Sequence, residues 1–94
     1  MKFNVVKGEN KGSIKLFGLS TCIWCKKTKE LLDKIGCKYE YIYIDQLDEE
    51  DKQNAIKEVR KWNPRSSFPT VVINNNKCII GFKEDKIREA LDIW

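Results

Sequence analysis

Between Ile14 and Ile35 the hydrophobic pattern changes period within a few residues, and two cysteines sit at the change. Ile14, Leu16 and Phe17 read as a buried strand that Gly18 and Ser20-Thr21 bring to a stop. From there Thr28, Leu31, Leu32 and Ile35 recur on one side of a helix, with Lys26, Lys27, Lys29 and Lys34 on another. A strand entering a helix through a tight turn places Cys22 at the helix N-terminus. Unpaired N–H groups and the macrodipole there favour negative charge, the setting in which a thiol becomes a thiolate more easily. Cys25 lies one helical turn on, close enough to attack a disulfide formed at Cys22. The pattern predicts a redox-active dithiol.

The rest of the chain reads as a small α/β domain. Residues 1–12 form an N-terminal extension in which Phe3, Val5 and Val6 fit a short edge strand and Gly8–Gly12 a loose connection. The domain proper is residues 13–94. Its first helix runs from about Ile23 to Ile35 and ends at Gly36, which suits the C′ position. Tyr39–Ile44 is rich in aromatic and β-branched residues, as a strand should be. Asp48 caps a second helix, Asp51 adds charge to its first turn, and Ala55, Ile56, Val59 and Trp62 form its apolar face. Asn63-Pro64 stops that helix. Thr70–Ile73 and Lys77–Ile80 flank Asn74-Asn75-Asn76 as a hairpin, and Ile87, Ala90, Leu91 and Trp94 mark a closing helix. The expected order is β-α-β-α-β-β-α with a four-stranded mixed sheet. The first two strands are parallel across a helical crossover and the last pair antiparallel.

Composition narrows the chemistry. A chain of 94 residues holds one core, and no apolar run approaches the roughly 20 residues of a membrane span. The apolar run at Met1–Lys7 breaks too early for a signal peptide, so a cytoplasmic location is expected. The net charge of +4 is scattered among acidic residues, with no basic stripe interleaved with aromatics, which argues against nucleic acid. The cluster Lys26, Lys27 and Lys29 reads as a solvated helix face, or as support for the thiolate and guidance for an acidic partner. The absence of histidine excludes His-dependent catalysis, and no phosphate loop, dinucleotide fingerprint or EF-hand is present. Without a cofactor site of its own, the dithiol must take electrons from a partner or a thiol.

Taken together, the Thr21-Cys-x-x-Cys25 motif opening a helix, Phe68-Pro69-Thr70 entering a hairpin, and Gly81 with Asp85 before the last helix resemble the glutaredoxin family over residues 13–92. Among its members the chain is similar to small redoxins of bacteria and archaea. The resemblance implies a thioredoxin-like fold and a thiol–disulfide oxidoreductase acting, as a monomer, on protein or small-molecule disulfides. Glutathione is then a possible co-substrate, and a thioredoxin reductase-type enzyme the other possible electron donor. It implies that Cys22 is the nucleophile and Cys25 the resolving thiol, that Pro69 is cis and packs against the dithiol, and that the Phe68 backbone pairs with an extended substrate. Thr21, Trp24 and Lys26 flank the thiols, and Gly81 and Asp85 fall where the family holds the α-carboxylate and α-amine end of glutathione or a peptide.

Three departures stand out. Ile23-Trp24 replaces the Pro-Tyr common between the cysteines, Leu19 stands where glutathione users often carry lysine, and Phe82 replaces the second of a paired glycine. The last two weaken a dedicated glutathione site, and Arg65 is the candidate compensating charge. The alternative within the resemblance is a cluster carrier, with Cys22 ligating a [2Fe–2S] cluster that bridges a dimer. Cys37 and Cys78 form no second close pair of the kind a structural zinc site uses, and read as core filler. Cys37, following a glycine at an element end, has a regulatory thiol as its other reading. Trp24 either meets a partner protein or packs on the domain. Tyr39, Tyr41 and Tyr43 read as packing along one strand face, as do Trp62 and Trp94 on helical faces.

Overall fold

The computed structural model describes residues 2–91 of the chain. The strands are β1 (Asn4–Val6), β2 (Ile14–Gly18), β3 (Tyr39–Tyr43), β4 (Thr70–Ile73) and β5 (Lys77–Ile80), and the helices α1 (Ile23–Ile35), α2 (Glu49–Trp62) and α3 (Glu84–Ala90). They form one mixed sheet in the order β1-β3-β2-β4-β5. β2 and β3 are parallel across α1, as a helical crossover requires, and every other pair is antiparallel. The α/β order agrees with the sequence pattern, but the sheet has five strands where four were expected. The extra strand is β1, whose Asn4–Val6 pair with Tyr41–Tyr39 of β3. The adjoining Glu9 N–H donates to the Gly36 carbonyl at 2.8 Å, and the Lys38 N–H to the Glu9 carbonyl at 2.8 Å. β1 lies where Phe3, Val5 and Val6 suggest a short edge strand, and with one half-buried side chain in three residues it is held in the sheet by the backbone of β3.

Alternation along the central strands divides the core into two layers. Leu16, Val71 and Ile73 face α1 and α3, packing with Leu31, Leu32, Ile87 and Leu91. Phe17, Ile42 and Val72 face the other way, against Ala55 and Val59 of α2. The helix ends obey the expected chemistry: Asp48 Oδ1 accepts from the Asp51 N–H at 2.8 Å, and Gly36 closes α1 at φ 78°. At the hairpin, Asn74 and Asn75 take φ values of 54° and 52°, the positive φ that short β-turns of this hand need. Ile44, expected to end the second strand, instead opens a 3₁₀ turn over Ile44–Gln46 and stays buried in the α2 layer. Trp94 lies outside the described residues. No helix among those described is long and apolar enough to cross a membrane.

Cys37 is core, 1% exposed in the α1 layer, whereas Cys78 is only half-buried. Tyr39 is buried with its hydroxyl donating to Asp33, and Tyr41 and Tyr43 continue its row with ring centroids 6.2 and 5.3 Å apart in succession. Lys29 Nζ stands 4.9 Å above the Tyr41 ring. These tyrosines pack, as their alternation indicates.

Candidate active site

The dithiol forms where β2 stops. Gly18 ends the strand against Cys25: a Cβ there would stand 3.1 Å from Cys25 Cβ and 3.2 Å from Cys25 Sγ. The chain then turns, with the Cys22 N–H donating to the Leu19 carbonyl at 3.1 Å. Asp45, just beyond β3, holds the turn from outside. It accepts from the Ser20 N–H at 2.8 Å and from the Ser20 hydroxyl. The hydroxyl bond, followed by the N–H bond, pulls the Asp45 carboxyl below the usual carboxylate range.

Cys22 is the N-cap of α1, with extended backbone at φ −90° and ψ 118°, and its Sγ accepts from the Cys25 N–H at 3.2 Å. A cap side chain normally offers oxygen here. Here a sulfur takes the place of that oxygen as the acceptor. No acidic residue occupies the first turn of α1, and Lys26 follows Cys22 by one turn and is exposed. Cys22 is half-exposed, whereas Cys25 is wholly buried. Burial pushes the Cys25 thiol up to about 12, with its hydrogen bond to Cys22 adding to the shift and the Leu19 N–H, 3.5 Å from Cys25 Sγ, opposing it. One thiol is thus open to a partner, and the other is held neutral behind it.

The third part of the site comes from the α2–β4 connection. Asn63, 1% exposed, donates through Nδ2 to the Ser67 carbonyl at 3.0 Å, the Ser67 hydroxyl at 2.9 Å and the Thr70 hydroxyl at 3.1 Å. This buried carboxamide shapes the loop that delivers Phe68-Pro69, and the Phe68–Pro69 peptide is cis. The Pro69 carbonyl accepts from the Gly81 N–H at 2.8 Å, joining the residue before β4 to the residue after β5. Gly81 has φ +82°, a left-handed conformation that favours glycine.

Of the residues singled out in the sequence, Trp24, Phe68, Pro69 and Gly81 come together around a cleft of about 260 Å³. Trp24 is 54% exposed and stacks on Phe82, with ring centroids 6.0 Å apart. Phe82, directly after Gly81, therefore serves as the platform for Trp24. Thr21 and Lys26 are exposed beside the thiols. Arg65 and Asp85 are exposed and line none of that cleft; the Arg65 backbone N–H is bound to Asn63 Oδ1 at 3.2 Å. Sequence reasoning missed Asp45, because its bond to Ser20 joins residues far apart in the chain, and Asn63, which reads as a plain helix stop. Among the described residues no three His, Cys, Asp or Glu side chains cluster as a metal site.

The same fold recurs in known proteins. The sequence pattern of the glutaredoxin family matches residues 14–79, a span that includes Cys22, Cys25 and Pro69 and stops before Gly81. The crystal structure of Methanosarcina acetivorans methanoredoxin is 56% identical, with a TM-score of 0.88 over 89% of this chain and 88% of that one. The glutaredoxin of Methanosarcina mazei Go1 is 48% identical, with a TM-score of 0.90 over 97% and 88%. An uncharacterised glutaredoxin-like 8.6 kDa protein of the Clostridium pasteurianum rubredoxin operon is 32% identical over 84% of this chain and 97% of its own. By sequence pattern and by fold alike, this chain belongs to the glutaredoxin family of redox proteins.

Proposed function

We propose that the protein is a dithiol–disulfide oxidoreductase in which Cys22 attacks and Cys25 resolves. The observation that carries this reading is the contrast between the two sulfurs. Cys22 is half-exposed and capped by the Cys25 N–H, and Cys25 is buried one turn behind it. The Cys22 thiolate attacks one sulfur of a substrate disulfide, forming a mixed disulfide and releasing the first substrate thiolate. Cys25 then loses its proton and attacks the Cys22 sulfur. The Cys22–Cys25 disulfide forms, and the second substrate thiolate leaves and takes up a proton. The substrate has gained the two electrons that the dithiol has lost. Part of what holds the Cys25 thiol neutral is its hydrogen bond to, and the charge of, Cys22. Both are removed once Cys22 is in the mixed disulfide, so resolution is favoured at the step that needs it.

Recovery of the dithiol requires an external donor, glutathione or a flavoprotein reductase of the thioredoxin reductase type. Leu19 and Phe82 support the reductase, since neither offers a polar group to glutathione. The test is reduction of hydroxyethyl disulfide under two electron supplies: glutathione with glutathione reductase, and thioredoxin reductase, each driven by NADPH. Turnover with either supports the oxidoreductase. Absence of turnover with both, together with visible absorbance after anaerobic purification, would replace it with the [2Fe–2S] carrier.

A further inference from the structure

Strands β2 and β3 are parallel and in register at their C-terminal ends, where Gly18 pairs with Tyr43. Each strand then runs on by two residues, to Ser20 and to Asp45, and these two meet. Ile44, 3% exposed in the α2 layer, anchors the 3₁₀ turn that carries the Asp45 carboxylate there. One oxygen of Asp45 accepts the Ser20 N–H at 2.8 Å, and the other accepts the Ser20 hydroxyl. That N–H belongs to the Leu19–Ser20 peptide, whose carbonyl accepts the Cys22 N–H at 3.1 Å. One peptide plane is therefore tied at both edges, to Asp45 on one side and to the cap of α1 on the other. The adjoining Gly18–Leu19 peptide supplies the N–H that lies 3.5 Å from Cys25 Sγ.

This last contact bears on resolution. Cys25 must become a thiolate in the mixed disulfide, and a hydrogen bond to a sulfur gains strength as charge develops on it. Burial, Cys22 and the Asp45 charge all raise the Cys25 thiol, and the Leu19 N–H opposes them. The titratable groups around Cys25 are Cys22 on α1, Tyr43 on β3 and Asp45 beyond it. Asp45 is badly suited to take the Cys25 proton. Both its oxygens are engaged by Ser20, and those bonds, with a smaller contribution from Lys52, make it a weaker base than an ordinary carboxylate.

We propose that Asp45, acting through Ser20, is a positioning residue for the resolving step: its two bonds hold the Leu19 turn so that the Leu19 N–H stays aimed at Cys25 Sγ. In that step the Cys25 thiolate attacks Cys22 Sγ. The Cys22–Cys25 bond forms, the bond from Cys22 to the substrate sulfur breaks, and the product leaves as a thiolate. Asp45 gains and loses no proton. The inference rests on disulfide exchange at Cys22 and assigns a part in it to residues outside the dithiol.

Single turnover with a symmetric aryl disulfide that releases a coloured thiolate tests it. Attack by Cys22 of the reduced protein releases the first aryl thiolate and resolution by Cys25 the second, so absorbance separates the two steps. At neutral pH Asp45→Ala should slow the second phase about tenfold, more than the first, and move its pH profile about one pH unit to the alkaline side. Ser20→Ala keeps the backbone bond and should show the same displacement in smaller degree. Asp45→Asn keeps an acceptor for the Ser20 N–H without the charge, and should recover most of the lost rate. The variant carrying both Ser20→Ala and Asp45→Ala should be no slower than Asp45→Ala, because the two changes remove one shared contact. An Asp45→Asn protein as slow as Asp45→Ala would overturn the proposal, since the carboxylate would then act through its charge. Second-phase profiles left in place by both Asp45→Ala and Ser20→Ala, with only a lower melting temperature, would also overturn it. Should Asp45→Ala fail to fold, an undisplaced profile in Ser20→Ala decides against it. Absence of both phases in the wild-type protein would instead strike at the oxidoreductase itself, so the two failures are distinguishable.

Discussion

Helix α1 carries a cysteine at each end, and the two ends treat sulfur in opposite ways. At the N-terminus Cys22 is half-exposed and its sulfur accepts a hydrogen bond from the Cys25 N–H. At the C-terminus Cys37 is buried, and its thiol donates to the Leu32 carbonyl at 3.7 Å. Burial pushes the Cys37 thiol up, and the neighbouring Asp33 carboxylate adds to the shift. The macrodipole sharpens the difference, since its positive end lies at Cys22 and its negative end at Cys37. The N-terminal arm then covers the second end, with Glu9 bonded to the Gly36 carbonyl and to the Lys38 N–H. Position on the helix, and not residue type, separates an accessible thiol from a packed one.

The largest test of that contrast exchanges sulfur for oxygen at each end. Cys22→Ser should lower hydroxyethyl disulfide turnover by roughly a thousandfold or more, because serine at neutral pH neither ionises nor forms a mixed disulfide. Cys37→Ser keeps a donor for the Leu32 carbonyl and should leave turnover unaffected while lowering the melting temperature. A large loss of turnover in Cys37→Ser would break the comparison and restore the regulatory reading of that residue.

Alkylation sharpens it at intermediate size. In the native reduced protein, iodoacetamide at neutral pH should mark Cys22 first. Cys25 and Cys37 should follow at least about a hundredfold more slowly, limited by local opening of the fold. Peptide mapping by mass spectrometry reads out the order. Both buried thiols are raised above the ordinary value of 9.0, and burial is the leading cause. Folding therefore favours their neutral forms. The stability they contribute is complete below about 9 and is lost as pH rises, for Cys25 toward about 12. A melting temperature that stayed flat from neutral pH into that alkaline range would contradict the sign.

How much of this was legible in the sequence depends on how local the cause is. The dithiol, its helix, the Gly36 stop and the Asp48 cap are set by residues within a turn of one another, and all of them can be read from spacing. The cis peptide before Pro69 was an implication of the family resemblance, because nothing local distinguishes it from the more common trans form. Strand β1 was legible only as a weak apolar triplet; its place in the sheet comes from β3, more than thirty residues away. The Ser20–Asp45 bond depends on the parallel crossover bringing distant segments together, whereas the Asn63 anchor of the Phe68-Pro69 loop is local, to Ser67 and Thr70, and was hidden because its burial is set by the packing of the loop. Arg65 and Asp85 sit at recognisable sequence positions, yet neither lines the cleft formed by Trp24, Phe68, Pro69 and Gly81.

The smallest effect separates two glycines that flank the same stretch of chain. Gly36 has φ +78°, and a Cβ there would meet nothing within 4 Å. Gly36→Ala should therefore carry only the backbone penalty of a left-handed residue, about 1 kcal/mol, seen as a melting temperature lower by about 4–8 °C. Turnover should not change, because the αL cap lies at the end of α1 away from the dithiol. Gly18 is the reverse case. Its φ is not in the left-handed region, but its Cβ would press on Cys25 Cβ and Sγ at 3.1 and 3.2 Å, tighter than ordinary contact. Gly18→Ala should cost a similar ~1 kcal/mol through overpacking, and it should also slow the release of product from the mixed disulfide because Cys25 is displaced. Single-turnover measurement of that release distinguishes the two. Equal release rates in both variants would mean that the Gly18–Cys25 contact is yielding enough for the resolving thiol to keep its place.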